Sequence, residues 1–516
     1  MQQRRKSWIG MASLSALIAA TACSSANTSE SQVPASSAAP TNQAQAKPAE
    51  PTKVKLWLSD QSKAVPSGNV MDNSTITYLA KKTNTSIEIE WLAHTKWQEQ
   101  LRVKFAAGET PDVYQSYEMP DNTMLKSGKV LPLNELIEKY GPNLKKKIPQ
   151  SSWDAVTYKG NIMSIPEAQE GNGNVARVMY IRKDWLDKLG LAVPKTDKEL
   201  LNVLKAFRDK DPNGNGKQDE IPFTMRENLD WGDNLFGMFG AHRSAYLLSG
   251  NQVIPGGIHP TMKNALSFFY TMYKEKLIDQ EFLTNNRSVW EQKIKSDKVG
   301  VWVHAPSLVN QWQKDLSSAL PDSKVDVVVI PTPRAVGYDG PLGIPYYPNL
   351  KTFTIMKSAK NPESIVKMFD WLASDEGQAF AAMGIEGDTY KIENGKYAHD
   401  LEKDKQAKTD EWRPLVFTLA YNEKLLKDKL NNDVAFNRVN NAFAVARSEG
   451  LPKILPPMPT SKYADSLRTA FNEYAAKVIF GKSSIDTWDE YVKTQLSQGG
   501  EEYVKEITTI YNDSKK

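Results

Sequence analysis

A chain of 516 residues with 40% hydrophobic content can bury more than one core, which excludes an intrinsically disordered protein. The formal charge is +4, and Arg4, Arg5 and Lys6 supply most of it, so the body is nearly neutral and shows no electrostatic footprint for nucleic acid. A single cysteine excludes internal disulfides.

In chain order, "MQQRRKSWIGMASLSALIAATAC" joins a basic head, an apolar run from Trp8 to about Ala20, and small residues ending at Cys23. This pattern predicts an export signal over 1–22, too short to span a bilayer comfortably. The segment resembles a bacterial lipobox, which implies that Cys23 is the lipidated first residue after cleavage; an ordinary secretory signal is the competing reading. Residues 24–50, rich in Ser, Ala, Pro and Gln, cannot form a core and read as a flexible tether, so 23–50 is expected to be lipid anchor and linker.

From about Lys53 strands and helices alternate. "VKLWLSD" reads as a strand, "ITYLAKKTN" as a helix, "SIEIEWLA" as a second strand, Trp97 to Ala107 as a helix, and "PDVYQS" as a third strand. Such a doubly wound unit binds ligands at the carboxyl ends of its strands, here near Asp60, His94 and residues 114–119. A turn-rich crossing segment over 158–174 precedes a further strand and a helix ending at Gly190. Thr196 and Glu199 form a capping-box pattern for the next helix, whose Leu200, Leu204 and Phe207 share one face.

That helix runs into "DPNGNGKQDEIP". A hard cation such as Ca2+ wants roughly six to eight oxygens, and a loop supplies them from alternate residues. Asp211, Asn213 and Asn215 occupy the first, third and fifth positions of an EF-hand pattern, Gly216 the sharp turn, and Lys217 the carbonyl position. Pro222 stands where the closing glutamate belongs, so Asp219 and Glu220 are expected to complete the shell, with Glu220 bidentate. A solvated turn without a cation is the alternative, because Asp-Pro and Asn-Gly are turn formers.

The stretch from Tyr180 to Thr224 that holds this loop resembles the family 1 extracellular solute-binding lipoproteins of bacterial ABC importers, especially the subgroup that includes the alginate-binding proteins. "FAAGETPDVYQ", "YKEKLIDQEF" and "FDWLASDEGQAFAAMGIEGDTY" carry the same resemblance. It implies a structural Ca2+ held by Asp211, Asn213, Asn215, the Lys217 carbonyl, Asp219 and Glu220. It also implies a two-lobed α/β fold of the periplasmic-binding-protein type, with a hinge and extra C-terminal helices. The lobes would hold 51–160 with 335–404 and 161–334 with 405–516. The implied function is capture of an oligosaccharide by a monomer held only by its lipid at the outer face of the cytoplasmic membrane, in the periplasm if the host has an outer membrane. Delivery would be to ABC transporter permease subunits.

A sugar cleft calls for aromatic platforms beside carboxylates and carboxamides. Trp302 occupies a position resembling one that supplies a stacking tryptophan in the alginate binders, with His304 at the strand tip. Trp231 in "NLDWGDN", Tyr346 beside Tyr347 in "IPYYPN", Glu167, Gln169, Asp60 and Trp412 are further candidates, each weighed against ordinary packing. Trp185 and Trp371 fall on amphipathic helices and read as core. No HExxH, GxSxG, Walker loop or cysteine nucleophile marks an enzyme. A secreted polysaccharide lyase or hydrolase, whose acids need no local spacing, stays as an alternative. So does a lipoprotein that presents its ligand to a sensor.

Overall fold

The structure, a computed structural model, describes residues 50–117, 120, 122–168, 176–345, 348–451, 454–455, 462–513 and 515. Cys23, the signal and tether through residue 49, Gln169, Tyr346 and Tyr347 lie outside the described residues.

Alternating apolar residues build the first sheet. Val54, Leu56 and Leu58 of Thr52–Ser59 are buried, and this strand pairs in parallel with Thr85–Leu92 and Val113–Ser116. Between the strands, helix Ser74–Thr83 starts where the Asn73 side chain accepts from the Thr75 and Ile76 amides and stops at Asn84 in the left-handed conformation. Two antiparallel strands complete five: Asn349–Ile355 pairs with Val113–Ser116 on one side and with Ile165–Ala168 on the other. The expected boundary at 160/161 therefore falls too early, before the strands Asn161–Ile162 and Ile165–Ala168. Ile165–Ala168 is buried throughout and finds its ladder partner in the first sheet. The boundary at 404/405 moves as well, because Trp412, Val416, Phe417 and Leu419 pack into the first core with Ile76, Phe353 and Phe369.

The second sheet orders its strands Val327–Ile330, Val178–Arg182, Val299–His304 and Ile221–Phe223; only the last pairing is parallel. Both faces are covered. Met179, Ile181, Phe223, Val301 and Val303 face Phe207 and Phe269, while Val178, Tyr180 and Trp302 face Trp290, Trp312 and Phe443. Burying each such side chain stabilises by roughly 1.5–3 kcal/mol. Gly300 lets the helices approach closely, since a Cβ there would stand 2.3 Å from the Phe207 ring and 3.1 Å from Trp185. The predicted cap is present: Thr196 Oγ1 accepts from the Glu199 amide (3.2 Å), and the Glu199 carboxylate reaches back to the Lys195 amide (2.8 Å).

The chain passes to the second sheet after Ala168, returns before Asn349, and leaves the first core again after Leu419. Helices Lys462–Ile479 and Trp488–Gln495 then add Phe471, Val478, Trp488 and Tyr491 to the second core. Among the described residues no helix is long and apolar enough to cross a membrane.

Candidate functional site

The carboxyl ends of the first sheet's parallel strands gather a polar group. Asp60 accepts from the Ser62 amide and from the His94 amide, both at 2.9 Å, and so staples the ends of the first two strands together. His94 Nδ1 lies 2.9 Å from the Tyr117 hydroxyl and 3.2 Å from Ser59 Oγ. Gln61, in a left-handed conformation, accepts from Tyr117 at 3.4 Å, while its Nε2 is buried without a hydrogen-bond partner. Glu167 is buried against Lys351 at 2.6 Å, and the Lys351 ammonium also donates to the Leu415 carbonyl. Glu167 thus balances a buried cation in the floor of the first sheet.

The second sheet contributes an aromatic cluster capped by arginine. After strand Ile221–Phe223 the chain turns through Asn228, Leu229 and Trp231, all non-glycine residues with φ near +60°. Such conformations cost roughly 1–3 kcal/mol each and persist where surrounding structure enforces them. Here the Arg226 amide donates to the Asp230 carbonyl (2.8 Å), and Arg243 donates to the Asn228 carbonyl and to the Asp230 carboxylate (2.7 Å). Trp231 is held half-buried. The Arg177 guanidinium lies 4.1 Å from its ring centroid, Trp290 is near-parallel at 6.1 Å, and His304 meets it edge-on at 4.4 Å. The Arg177 guanidinium therefore covers a face of the half-buried Trp231 ring, so that face is not free as a platform. Arg177 is anchored by the buried Asp233; burial pushes that carboxyl up, and the Arg177 and Arg243 charges outweigh it, leaving it below its usual range.

His304 is buried, and its Nδ1 accepts from the Trp312 indole at 3.1 Å. Burial first, then the charges of Arg287, Arg177 and Arg226, hold it well below the ordinary histidine range, in its neutral form. His94, on the opposite sheet, is lowered by burial and then by Arg287, with Lys351 and Arg226 adding to the effect and Asp60 opposing it.

Two predicted platforms are core instead. Trp302 is fully buried, stacked on Tyr180 at 5.5 Å and 5° and edge-on to Trp312. In a sheet covered on both faces, alternation selects which core layer a side chain enters; it does not select exposure. Trp412 is buried between Trp91 and Phe417, its indole donating to the Lys408 carbonyl at 3.1 Å. Trp185 is buried, as expected from its helix. Sequence reasoning pointed to the strand ends at His94 and near Tyr117 but selected neither side chain, and it passed over Gln61 and Arg177. The usable signal for Arg177 was its position beside a strand of the second sheet.

The loop after helix Asp197–Asp209 folds around Asp211, whose Oδ1 accepts from the Gly214 and Asn215 amides (2.9 and 3.1 Å) and Oδ2 from Gly216 (2.9 Å). Gly216 adopts φ 75, which a larger residue would strain. Asn213 Oδ1 accepts from the Asn215 amide at 3.0 Å, and Asn215 Oδ1 from the Lys217 amide at 2.8 Å. The Lys188 ammonium braces the loop from behind by donating to the Pro212 carbonyl at 2.8 Å. Both carboxylate oxygens of Glu220 are buried with no donor, and burial, followed by the Asp211 and Asp219 charges, pushes that carboxyl up. A buried acceptor-only pair facing two more carboxylates is a donor set that suits a hard cation. Asp219 turns instead to Lys298 (2.8 Å) and accepts from Asn215 Nδ2 (3.0 Å). Accordingly, among the described residues no three His, Cys, Asp or Glu side chains converge on one point.

The family model for bacterial extracellular solute-binding proteins matches residues 67–379. Lipoprotein LipO of Bacillus subtilis (strain 168) is 24% identical over 464 residues, 85% of this chain and 88% of that one. The fructooligosaccharide ABC transporter substrate-binding protein FusA of Streptococcus pneumoniae serotype 4 is 30% identical over 271 residues, 49% of this chain, so the match spans about half (50%) of that relative. Among solved structures, the alginate-binding protein AlgQ2 without calcium ion aligns with a TM-score of 0.69 at 23% identity, over 90% of this chain and 98% of that one. This likeness shows the two-lobed, hinged α/β fold of solute-binding proteins.

Proposed function

Because the chain belongs to the bacterial extracellular solute-binding protein family, we propose that it captures an oligosaccharide in the cleft between its two sheets and delivers it to the permease of an ABC transporter. The observation that carries this reading is the pair of opposed strand ends. Gln61, His94 and Tyr117 offer donors and acceptors on one side, and the Arg177–Trp231 stack does so on the other. A hydroxyl-rimmed ring bound between them would be desolvated on both faces as the halves close. FusA, named for fructooligosaccharide transport, supports the ligand class.

The protein acts as a monomeric binder and leaves its ligand chemically unchanged. Cys23 anchors it by lipid at the outer face of the cytoplasmic membrane, a reading supported by the signal pattern and by similarity to LipO. One acyl chain binds weakly, so stable anchoring takes more than one. Asp211, Asn213, Asn215, the Lys217 carbonyl, Asp219 and Glu220 hold a Ca2+ ion, and the buried oxygens of Glu220 are the feature that favours it. When bound, the ion neutralises the loop's carboxylates and ties the helix end to the following strand.

Calorimetric titration of the protein with neutral and acidic oligosaccharide panels, followed by mass spectrometry of the recovered glycan, tests the reading. Saturable binding with the glycan intact is expected. Shortened or unsaturated products would make it an enzyme, and silence across every panel would remove the carbohydrate assignment.

A further inference from the structure

Two stretches of chain at the end of the first sheet away from the cleft read alike, "KSGKV" over 126–130 and "MKSAK" over 356–360. Val130 and Met356 form an antiparallel bridge, and the Lys357 amide donates to the Lys129 carbonyl at 2.8 Å. Lys129 and Lys357 therefore stand opposite each other, Lys126 and Lys360 follow further out, and all four are exposed. Like charges set opposite one another across a ladder are destabilising. The carboxylates on adjoining segments turn elsewhere: Asp112 accepts from the Lys55 amide and Glu363 from the Tyr140 hydroxyl, both at 2.8 Å. Among the described residues the four lysines form no ion pair, unlike Lys82 and Lys104 at the ends of neighbouring helices, which pair with Glu376 and with Glu90 and Glu109.

Backbone bonds set this face where strand Thr52–Ser59 begins. The Met356 amide donates to the Asp112 carbonyl and the Asp112 amide to the Lys55 carbonyl, both at 2.9 Å, and Thr52 Oγ1 donates to Ser364 Oγ at 3.2 Å, just beyond Lys360. Exposed Lys53 adds to the same end. Residues 24–49 separate Cys23 from this face, a reach of at most about 90 Å when fully extended. A body held by Cys23 thus keeps the lysines near its bilayer, where an attraction too weak to matter in free solution acts at high effective concentration. Asp60 and His94 lie at the other end of the same strands, about 25 Å away.

We propose, resting on the lipid-anchor reading above, that this face is a membrane-docking surface, on which Lys126, Lys129, Lys357 and Lys360 meet the phosphate headgroups of anionic lipids. The first sheet then stands on the bilayer and holds the cleft away from it, open to incoming solute. Because the body as a whole is nearly neutral, the attraction is confined to this end.

The test couples the chain from residue 23 onward, through Cys23, to a maleimide lipid in vesicles of phosphatidylcholine alone or mixed with phosphatidylglycerol. Acetylation of each lysine is followed by mass spectrometry. The four lysines are expected to react several-fold more slowly on the phosphatidylglycerol vesicles, and high salt should remove the difference. Exposed Lys198, Lys314, Lys324 and Lys505, elsewhere on the surface, should react alike on both. Lys129→Gln and Lys357→Gln should each lower the docked-to-free ratio about fivefold, read at Lys126 and Lys360; melting curves check that both variants fold. Equal protection of the four lysines and the four distant ones reduces the attraction to net charge and overturns the proposal. No protection on phosphatidylglycerol overturns it too, as does protection indifferent to both variants. Mass spectrometry of protein extracted from the host's membranes reads the acyl chains on Cys23. Their absence removes the anchor and the docking proposal with it, whereas a lipidated chain indifferent to phosphatidylglycerol loses the docking surface alone.

Discussion

The loop at Asp211–Glu220 and the cleft around Trp231 both gather charge, by opposite routes. In the loop every candidate ligand comes from ten consecutive residues, and the chain's own amides hold Asp211 in place. In the cleft, Gln61, His94, Tyr117, Arg177 and Trp231 come from positions far apart in the chain, at the ends of two different sheets. The loop is shaped mainly by its own amides, with Lys188, Asp297 and Lys298 bracing it from outside. The cleft exists only when both sheets are folded and their ends face each other. Substitutions at the loop should therefore register in stability and metal response, and substitutions at the cleft in affinity.

The largest expected effect lies behind the cleft. Trp302→Ala removes a fully buried indole stacked on Tyr180 and should cost about 3–5 kcal/mol of stability in denaturant titrations. A variant as stable as the parent that has lost its ligand would return Trp302 to the binding site. Next comes acid. His242, buried next to Asp233 and Arg243, has its titration lowered by burial to about 4 from an ordinary 6.5. Between those values the unfolded chain takes up a proton that the native state refuses, so stability falls as pH drops through this window and is flat above it. The loss is about 3 kcal/mol at most, and His242→Asn should flatten the profile of melting temperature against pH.

The loop supplies a test of similar size. Calcium at 100 times its dissociation constant should add about 2.7 kcal/mol to the protein's stability. Chelation should lower the melting temperature while leaving glycan affinity unchanged at low temperature. Glu220→Gln should abolish the calcium response and raise the melting temperature of the chelated protein, because it removes an unpaired buried carboxylate. A chelated protein that keeps its melting temperature and loses its ligand would merge the two regions into one site. The smallest effect is at Trp231. Trp231→Ala releases Arg177 and should weaken ligand binding roughly tenfold, the scale of a partly desolvated cation–π contact, with a minor shift in melting temperature.

Local grammar was legible wherever neighbours in the chain do the work. The strands opening the first sheet, the cap at Thr196 and the loop's turn at Gly216 all follow from residues within a few positions of one another. Tryptophans were the opposite case. Trp302, Trp231 and Trp412 share apolar bulk and a polar tip, and nothing within ten residues of each says that two are core and one is capped by Arg177. The strand Ile165–Ala168 was misplaced for the same reason, since its ladder partner lies far along the chain in Asn349–Ile355.

What the amino-acid order determined alone was the export pattern, the alternation of strands and helices, and the chemistry of the oxygen-rich loop. These depend on spacing and side-chain type over one or two turns of chain. What tertiary structure decided was which side chains meet at the cleft and with which charge. Only the pairing of distant strands sets Glu167 against Lys351 and packs Trp302 on Tyr180, because contact depends on distance through space, which sequence separation does not set.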